Sequence, residues 1–224
     1  MHPSTSLVGV DWGVVNFVTM SNGEVVGQCA PLEQHARKLV KWQRRLARKK
    51  KFSNNWKKAK ARISKLHQHI ANIRKDFVHK TDSISKNHAV VVVEGLQVKN
   101  LSQSARKNVK AKSRMNRAIL DAPPFELRRQ LEYKMRWRGG LLVAVPPGNT
   151  SRSCPECGQV AAAENRKTQA RFVSVACGFR VPADLVAASN IKEAGLASLA
   201  WSHSSGTHRR HRCLAGEPEG IPNP

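Results

Sequence analysis

The sequence predicts an α/β chain built on a mixed sheet, interrupted once by a basic helical hairpin and once by a small cysteine-bearing insertion. Three observations predict this. Short apolar runs separated by turn residues open the chain, and a continuous β-branched run returns at 89–93. Between them the composition swings to helical spacing with heavy positive charge. At 224 residues and 40% hydrophobic content, the chain can bury the core of one ordinary domain carrying a small insertion.

Taken in order, Leu7-Val8-Gly9-Val10 is a short apolar strand that ends at Asp11, before Trp12-Gly13. Val14 to Met20 makes a second strand, Ser21-Asn22-Gly23 a hairpin turn, and Glu24 to Cys29 a third strand. From Arg37 to Lys80 there are seventeen Lys or Arg residues and one acid, Asp76. Leu39, Trp42 and Leu46 are spaced three and four apart, and Ile63, Leu66, Ile70, Ile73 and Phe77 repeat the pattern. Phe52-Ser53-Asn54-Asn55 breaks it with turn formers, so 33–80 reads as a helical hairpin with one apolar seam and a basic outer face.

Ala89 to Val93 is apolar at every position and ends in Glu94-Gly95, the pattern of a strand covered on both faces. Ser102 to Arg117 is polar and basic and is expected to be a loop or a mobile segment. Pro123-Pro124 opens a helix with Leu127, Leu131 and Met135 on one face, closed by Gly139-Gly140. Leu141 to Val145 is another strand, stopped by Pro146-Pro147. Ala183 to Ala194 reads as a short helix ending at Gly195, and the aperiodic tail that follows is expected to be disordered.

The formal net charge of +24, from 39 Lys and Arg against 15 Asp and Glu, calls for a polyanionic partner. Seventeen bases against one acid in the hairpin is too lopsided for a surface tuned only for solubility, which mixes signs. Nucleic acid is expected there. Aromatic content of only 5% beside so many Lys and Arg fits phosphate contacts, which need charge and not stacking. No stretch reaches the roughly 18 apolar residues of a membrane span, and the first residues lack a secretory pattern. The expected partner is therefore not a membrane.

Five cysteines stand at 29, 154, 157, 177 and 213. An odd count containing a Cys-Pro-Glu-Cys pair does not read as an extracellular disulfide framework, and places the chain in the cytoplasm with a possible metal site. Cys29 and Cys213 read as a core thiol and a tail thiol.

Asp11 and Glu94 each end an apolar strand; on neighbouring parallel strands their carboxylates would lie side by side. Asp184, near a helix start, could add a third. Crowded carboxylates stay ionised only around a cation, and hard oxygen ligands suit Mg²⁺ or Mn²⁺. Two such ions can activate water and stabilise the leaving oxygen of a phosphodiester. Taken singly, however, the three also fit a turn residue, a strand end and a helix N-cap.

Particular segments carry a resemblance: Val8-Gly-Val-Asp-Trp-Gly13, Val91-Val-Val-Glu-Gly-Leu96, Phe125-Glu-Leu-Arg-Arg-Gln-Leu-Glu-Tyr-Lys134, Val145-Pro-Pro-Gly-Asn-Thr-Ser-Arg-Ser-Cys-Pro-Glu-Cys-Gly158, Asn165-Arg-Lys-Thr-Gln-Ala170 and Ala183-Asp-Leu-Val-Ala-Ala188. Through them the chain resembles the TnpB (OrfB) proteins of bacterial insertion elements, relatives of type V CRISPR nucleases, over about residues 7 to 195. The resemblance implies an RNase H-like (RuvC) nuclease in three sequence pieces, with Asp11, Glu94 and Asp184 as catalytic and Mg²⁺- or Mn²⁺-binding acids. It also implies DNA as substrate, a guide RNA as partner and a bacterial cytoplasmic location, with base pairing reading the sequence. On this basis 1–148 is the nuclease core with hairpin 33–80, 149–180 a zinc-ribbon-like insertion, 181–195 the last nuclease segment and 196–224 the tail.

Two departures qualify the resemblance. Only six residues precede the first strand where the family carries an N-terminal module, so the chain reads as an N-terminally shortened form. The family's ribbon uses two Cys-x-x-Cys pairs, whereas here Cys154 and Cys157 are followed by Ser174-Val-Ala-Cys177. The implied Zn²⁺ site is thus Cys154, Cys157 and Cys177 with Ser174 in fourth place, a poor ligand. The expected function is a divalent-metal-dependent DNA endonuclease. The alternatives are a catalytically silent nucleic-acid-binding remnant and a stand-alone junction resolvase of the same fold.

Overall fold

The computed structural model describes residues 1–81, 83–95, 109–121, 124–160, 164–166, 168 and 170–204. Its centre is a five-stranded mixed sheet in the order β3-β2-β1-β4-β5. The strands are β1 (Leu7–Trp12), β2 (Asn16–Met20), β3 (Val25–Gly27), β4 (Val90–Glu94) and β5 (Leu141–Val145). β2 runs antiparallel to β1 and to β3, and the β2–β3 hairpin closes through the Gly23 N–H donating to the Met20 carbonyl. β4 lies parallel to both β1 and β5, in registers that pair Val10 with Val93 and Glu94 with Val145.

Strand alternation sends Val8, Val10, Val91 and Val93 to one face of the sheet, where Phe17, Leu127, Leu131 and Met135 complete the main core. The helix carrying those last three residues is α5 (Pro124–Trp137), and α4 (Val109–Asp121) precedes it. The opposite face, represented by Val92 and Val145, packs on Ile191 of the last helix, α6 (Ala183–Ser204). The β-branched run at 89–93 is therefore covered on both sides, as its composition requires.

The basic segment forms α1 (Pro31–Ala47) and α2 (Asn54–Lys80), followed by short α3 (Ser83–Asn87). Leu39, Leu66 and Ile70 close the hairpin seam with Leu32 beside them. Further along α2, Val78 and Phe77 turn into the main core and anchor the hairpin to the sheet.

Two sequence expectations are corrected. Ser102 to Arg117 was expected to be a loop or a mobile segment; 102–108 lie outside the described residues, but α4 begins at Val109. Its end is fixed by buried Asp121, which accepts from Arg74 Nε at 2.9 Å and Nη2 at 2.6 Å, and from the Leu32 N–H at 3.2 Å. Partners 47 and 89 residues away leave no local pattern. Gly195 was also expected to stop the last helix, which instead continues to Ser204. A Cβ on Gly195 would stand 2.4 Å from Val92 Cγ2, so this glycine serves close packing and not termination. The tail beyond Ser204, with Cys213, lies outside the described residues.

The cysteine-bearing insertion contains a two-stranded antiparallel ribbon of β6 (Arg171–Val173) and β7 (Arg180–Pro182). Phe172, Cys154, Ala183 and Val186 form its own small core, against the first turn of α6. Among the described residues no helix is long and apolar enough to cross a membrane.

Candidate active site and cysteine ribbon

The register of β1 against β4 decides where two of the acids stand. Val10 pairs with Val93, so Asp11 and Glu94 are the next residues on adjacent parallel strands. Both follow the alternation of Gly9 and Val92 and so share the face covered by α6. Asp184 lies in the first turn of that helix, where the helix dipole favours a carboxylate. What brings α6 so near is the absence of a side chain on Gly9, where a Cβ would stand 2.1 Å from the Ala188 carbonyl oxygen.

Asp11 feels the other two carboxylates. Asp11 is raised from its ordinary value to about 7, first by burial, then by the charges of Glu94 and Asp184, with Arg166 acting in the opposite direction. A carboxyl poised near neutrality beside two others fits a hard divalent cation, which would stabilise the ionised form. The acids do not close into a ligand cage as tight as the cysteines do. Among the described residues, Cys154, Cys157 and Cys177 are the one group of His, Cys, Asp or Glu ligand atoms all within 4.8 Å of one another.

Thr150 and Arg166, among the described residues, also meet the acids. The Thr150 hydroxyl donates to Glu94 Oε1. Arg166 places Nη2 3.7 Å from Asp184 Oδ1. Both come from the insertion: Thr150 just precedes the first cysteine, and Arg166 follows Asn165 between the two cysteine turns. Asn190 of α6 fixes this loop by donating to the Thr150 carbonyl at 2.6 Å and the Ser153 carbonyl at 2.8 Å. Buried Asn165 donates to the Arg152 carbonyl and accepts from the Val175 N–H. The segments holding Thr150 and Arg166 stood out in the sequence, but nothing in their spacing assigned them to the acids.

The two cysteine turns are structural twins. Gly158 N–H donates to the Cys154 carbonyl at 2.9 Å, and Gly178 N–H to the Ser174 carbonyl at 3.0 Å. Each glycine has a positive φ, 70° and 74°, and each turn closes with the first residue's N–H bonded to Gln159 or Phe179. Ser174 therefore stands where the second turn's first cysteine would stand. Its Oγ is 3.7 Å from Cys157 Sγ, while the Cys154 and Cys177 Sγ atoms are 3.6 Å apart. Burial pushes the Cys154 thiol up, but hydrogen bonds from the Cys157 N–H, the Ser174 hydroxyl and the Glu156 N–H outweigh it and bring it down to about 7. That is the chemistry of a thiolate-lined pocket suited to a soft or borderline metal.

Comparison with known proteins bears on both halves of this site. The family model OrfB_IS605, described as "Probable transposase", matches residues 1–105, and the model for the Cas12f1-like TNB domain matches residues 125–191. "Putative RNA-guided DNA endonuclease InsQ" of Escherichia coli (strain K12) is 49% identical over 208 residues, covering 89% of this chain and 52% of that protein. The chain belongs to the OrfB (TnpB) family. A second relative, "Putative RNA-guided DNA endonuclease" of Streptomyces pristinaespiralis, is 35% identical over 199 residues, 88% of this chain and 47% of its own. The chain thus spans about half the length of the curated relatives it matches. The OrfB fold seen here is shared with solved Cas12f structures. "Cryo-EM structure of CRISPR-Cas12f Ternary Complex" matches with a TM-score of 0.58 and 21% identity over 86% of this chain and 40% of that one. "Cryo-EM structure of the Cas12f1-sgRNA-target DNA complex" gives 0.55 and 21% over 83% and 49%.

Proposed function

We propose that this chain is the RNase H-like (RuvC) nuclease part of an RNA-guided DNA endonuclease, with Asp11, Glu94 and Asp184 as its catalytic carboxylates. One observation carries the reading: Asp11 and Glu94 stand side by side near the ends of adjacent parallel strands, on the face where α6 delivers Asp184, and the charges of Glu94 and Asp184 both act on Asp11. The strand order, with β2 antiparallel to its neighbours β1 and β3 on one side and β4 and β5 parallel to β1 on the other, supports the RNase H-like assignment.

Mg²⁺ or Mn²⁺ held by the three acids would supply charge stabilisation at the phosphoryl oxygens and a more acidic bound water. The chain's own residues arrange the rest. The Thr150 hydroxyl fixes one oxygen of Glu94, which keeps the other oriented for a ligand. Arg166 tempers the crowding of negative charge at Asp11 and Asp184 and offers a guanidinium to a phosphate. Because the acid has to be ionised to hold a cation, activity rises as Asp11 loses its proton. The cysteine ribbon holds Thr150 and Arg166 in place, with Cys154, Cys157 and Cys177 as Zn²⁺ ligands and Ser174 beside the fourth position.

DNA is the proposed substrate and guide RNA the proposed partner, following the names of the OrfB relatives, in a bacterial cytoplasm. The test is cleavage of single-stranded DNA with Mg²⁺ or Mn²⁺. Metal-dependent cutting that disappears in Asp11→Ala supports the reading, and metal-independent cutting counts against it. Ser174 favours a second reading, a chain that binds nucleic acid without cutting. Salt-sensitive binding with no cleavage under any divalent cation selects it.

A further inference from the structure

The turn between α1 and α2 carries a residue that is costly for folding and unexplained by packing. Phe52 is 75% exposed, and its φ of 67° lies in the left-handed region that favours glycine. A residue chosen for stability at this position would be Gly or Asn. Instead its ring meets Trp56 with centroids 5.5 Å apart and planes at 51°, so an aromatic pair stands at the end of the hairpin. The pair is held by the first turn of α2, where Ser53 Oγ accepts from the Trp56 N–H at 3.2 Å.

The surroundings are cationic without compensation. Arg48, Lys49, Lys50 and Lys51 precede Phe52 and are exposed, and Lys57 and Lys58 follow Trp56. Lys60 Nζ lies 5.2 Å from the Trp56 ring centroid. From Gln34 to Lys75 the sequence contains no acid. Farther down the hairpin, Trp42 has the guanidinium carbons of Arg45 and Arg62 at 4.8 and 4.6 Å, which holds two more cations to the same rod.

We propose that the hairpin tip is a docking point for single-stranded polynucleotide, with an unpaired base stacked on Phe52 and Trp56 and its flanking phosphates on the tip lysines. Charge alone would suit any nucleic acid. An aromatic pair with an exposed Phe52 and a half-buried Trp56 adds something only where a base face is free, because bases within a duplex are already stacked. The lysines supply the salt-dependent part of binding and the rings the part that distinguishes single from double strands. This deepens the nucleic-acid half of the proposed function and does not depend on the carboxylates.

The test uses the full chain in EDTA, so that cutting plays no part, with Phe52→Gly as the variant. Relief of the left-handed strain should leave its melting temperature unchanged or higher. Fluorescence anisotropy then compares an oligo-dT, an oligo-U, an abasic oligomer of equal length and a DNA duplex. The expected result is a loss of about tenfold or more in affinity for oligo-dT, oligo-U or both, the worth of one base–aromatic stack. Affinity for the abasic and duplex probes, and the salt slope, should stay unchanged. The DNA and RNA arms show which polymer the tip takes. An equal loss on all four probes, or none on the base-bearing single strands, overturns the proposal and leaves the nuclease reading standing. No oligonucleotide binding by the unaltered chain overturns both. Phe52-dependent binding to phosphatidylserine vesicles with Phe52-independent binding to oligonucleotides assigns the tip to a membrane surface and overturns it as well.

Discussion

Gly9 of β1 and Ala188 of α6 approach so closely that no side chain fits between them: a Cβ on Gly9 would stand 2.1 Å from the Ala188 carbonyl oxygen and 2.6 Å from the Lys192 nitrogen. Backbone cannot yield as a rotamer can. Two residues beyond Gly9 is Asp11, and four residues before Ala188 is Asp184, so the same close approach sets the spacing of the acids. Gly9→Ala is predicted to cost about 1–3 kcal/mol through overpacking, read from a denaturant melt. Mn²⁺ affinity should fall with it. Unchanged stability would mean that α6 is not seated on β1 as described.

The raised Asp11 predicts a pH dependence of definite sign. Its carboxyl stands at about 7 in the folded chain against 3.8 ordinarily, so the folded state binds more protons in between. The stability this contributes is fully present below about 4 and is lost as pH rises through about 7. Urea melts of metal-free protein at pH 5 to 8 should show this decline, and Asp11→Asn should flatten it. Mn²⁺ should offset the loss at pH 8 in the unaltered chain and not in the variant.

Thr150 tests whether the ribbon side of the site matters to the acids. Thr150→Val removes the hydroxyl that donates to Glu94 while nearly preserving volume. Mn²⁺ affinity, read by electron paramagnetic resonance, should weaken several-fold, and Thr150→Ser should restore it. A purely structural threonine would give a lower melting temperature with unaltered metal affinity.

Ser174 lies 98% buried beside three thiols, in a turn that matches the Cys154 turn bond for bond. Ser174→Cys completes a tetrahedral thiolate set, so zinc affinity should rise at least tenfold and zinc should then raise the melting temperature further. Co²⁺ substitution checks the ligands directly, since charge-transfer bands should strengthen in the variant. Equal zinc affinity in both proteins would show that Ser174 is not at the metal position.

Much of this was legible in the sequence because local pattern and tertiary role agreed. The 89–93 run is apolar throughout, as a strand covered on both faces must be, and the seam of Leu39, Leu66 and Ile70 follows helical spacing. The positions of Asp11 and Glu94 at strand ends could be read, but their adjacency could not. It depends on β1 and β4 being parallel neighbours in one particular register. Gly195 misled because a glycine that permits close packing looks the same in sequence as one that ends a helix. Helix α4 was missed because Asp121 is held by Arg74 and Leu32, far away along the chain. Thr150 and Arg166 belong to the same class: their segments were conspicuous, and their partners Glu94 and Asp184 were set only by folding.

Asp11, Glu94 and Asp184 are proposed to act as one divalent-cation site, and Mn²⁺ titration at pH 8 tests this most directly. The full chain is compared with Asp11→Asn, Glu94→Gln and Asp184→Asn, with folding of each checked by circular dichroism. Saturable binding that each substitution weakens at least tenfold is the predicted result. Equal Mn²⁺ affinity in all four proteins would contradict the account.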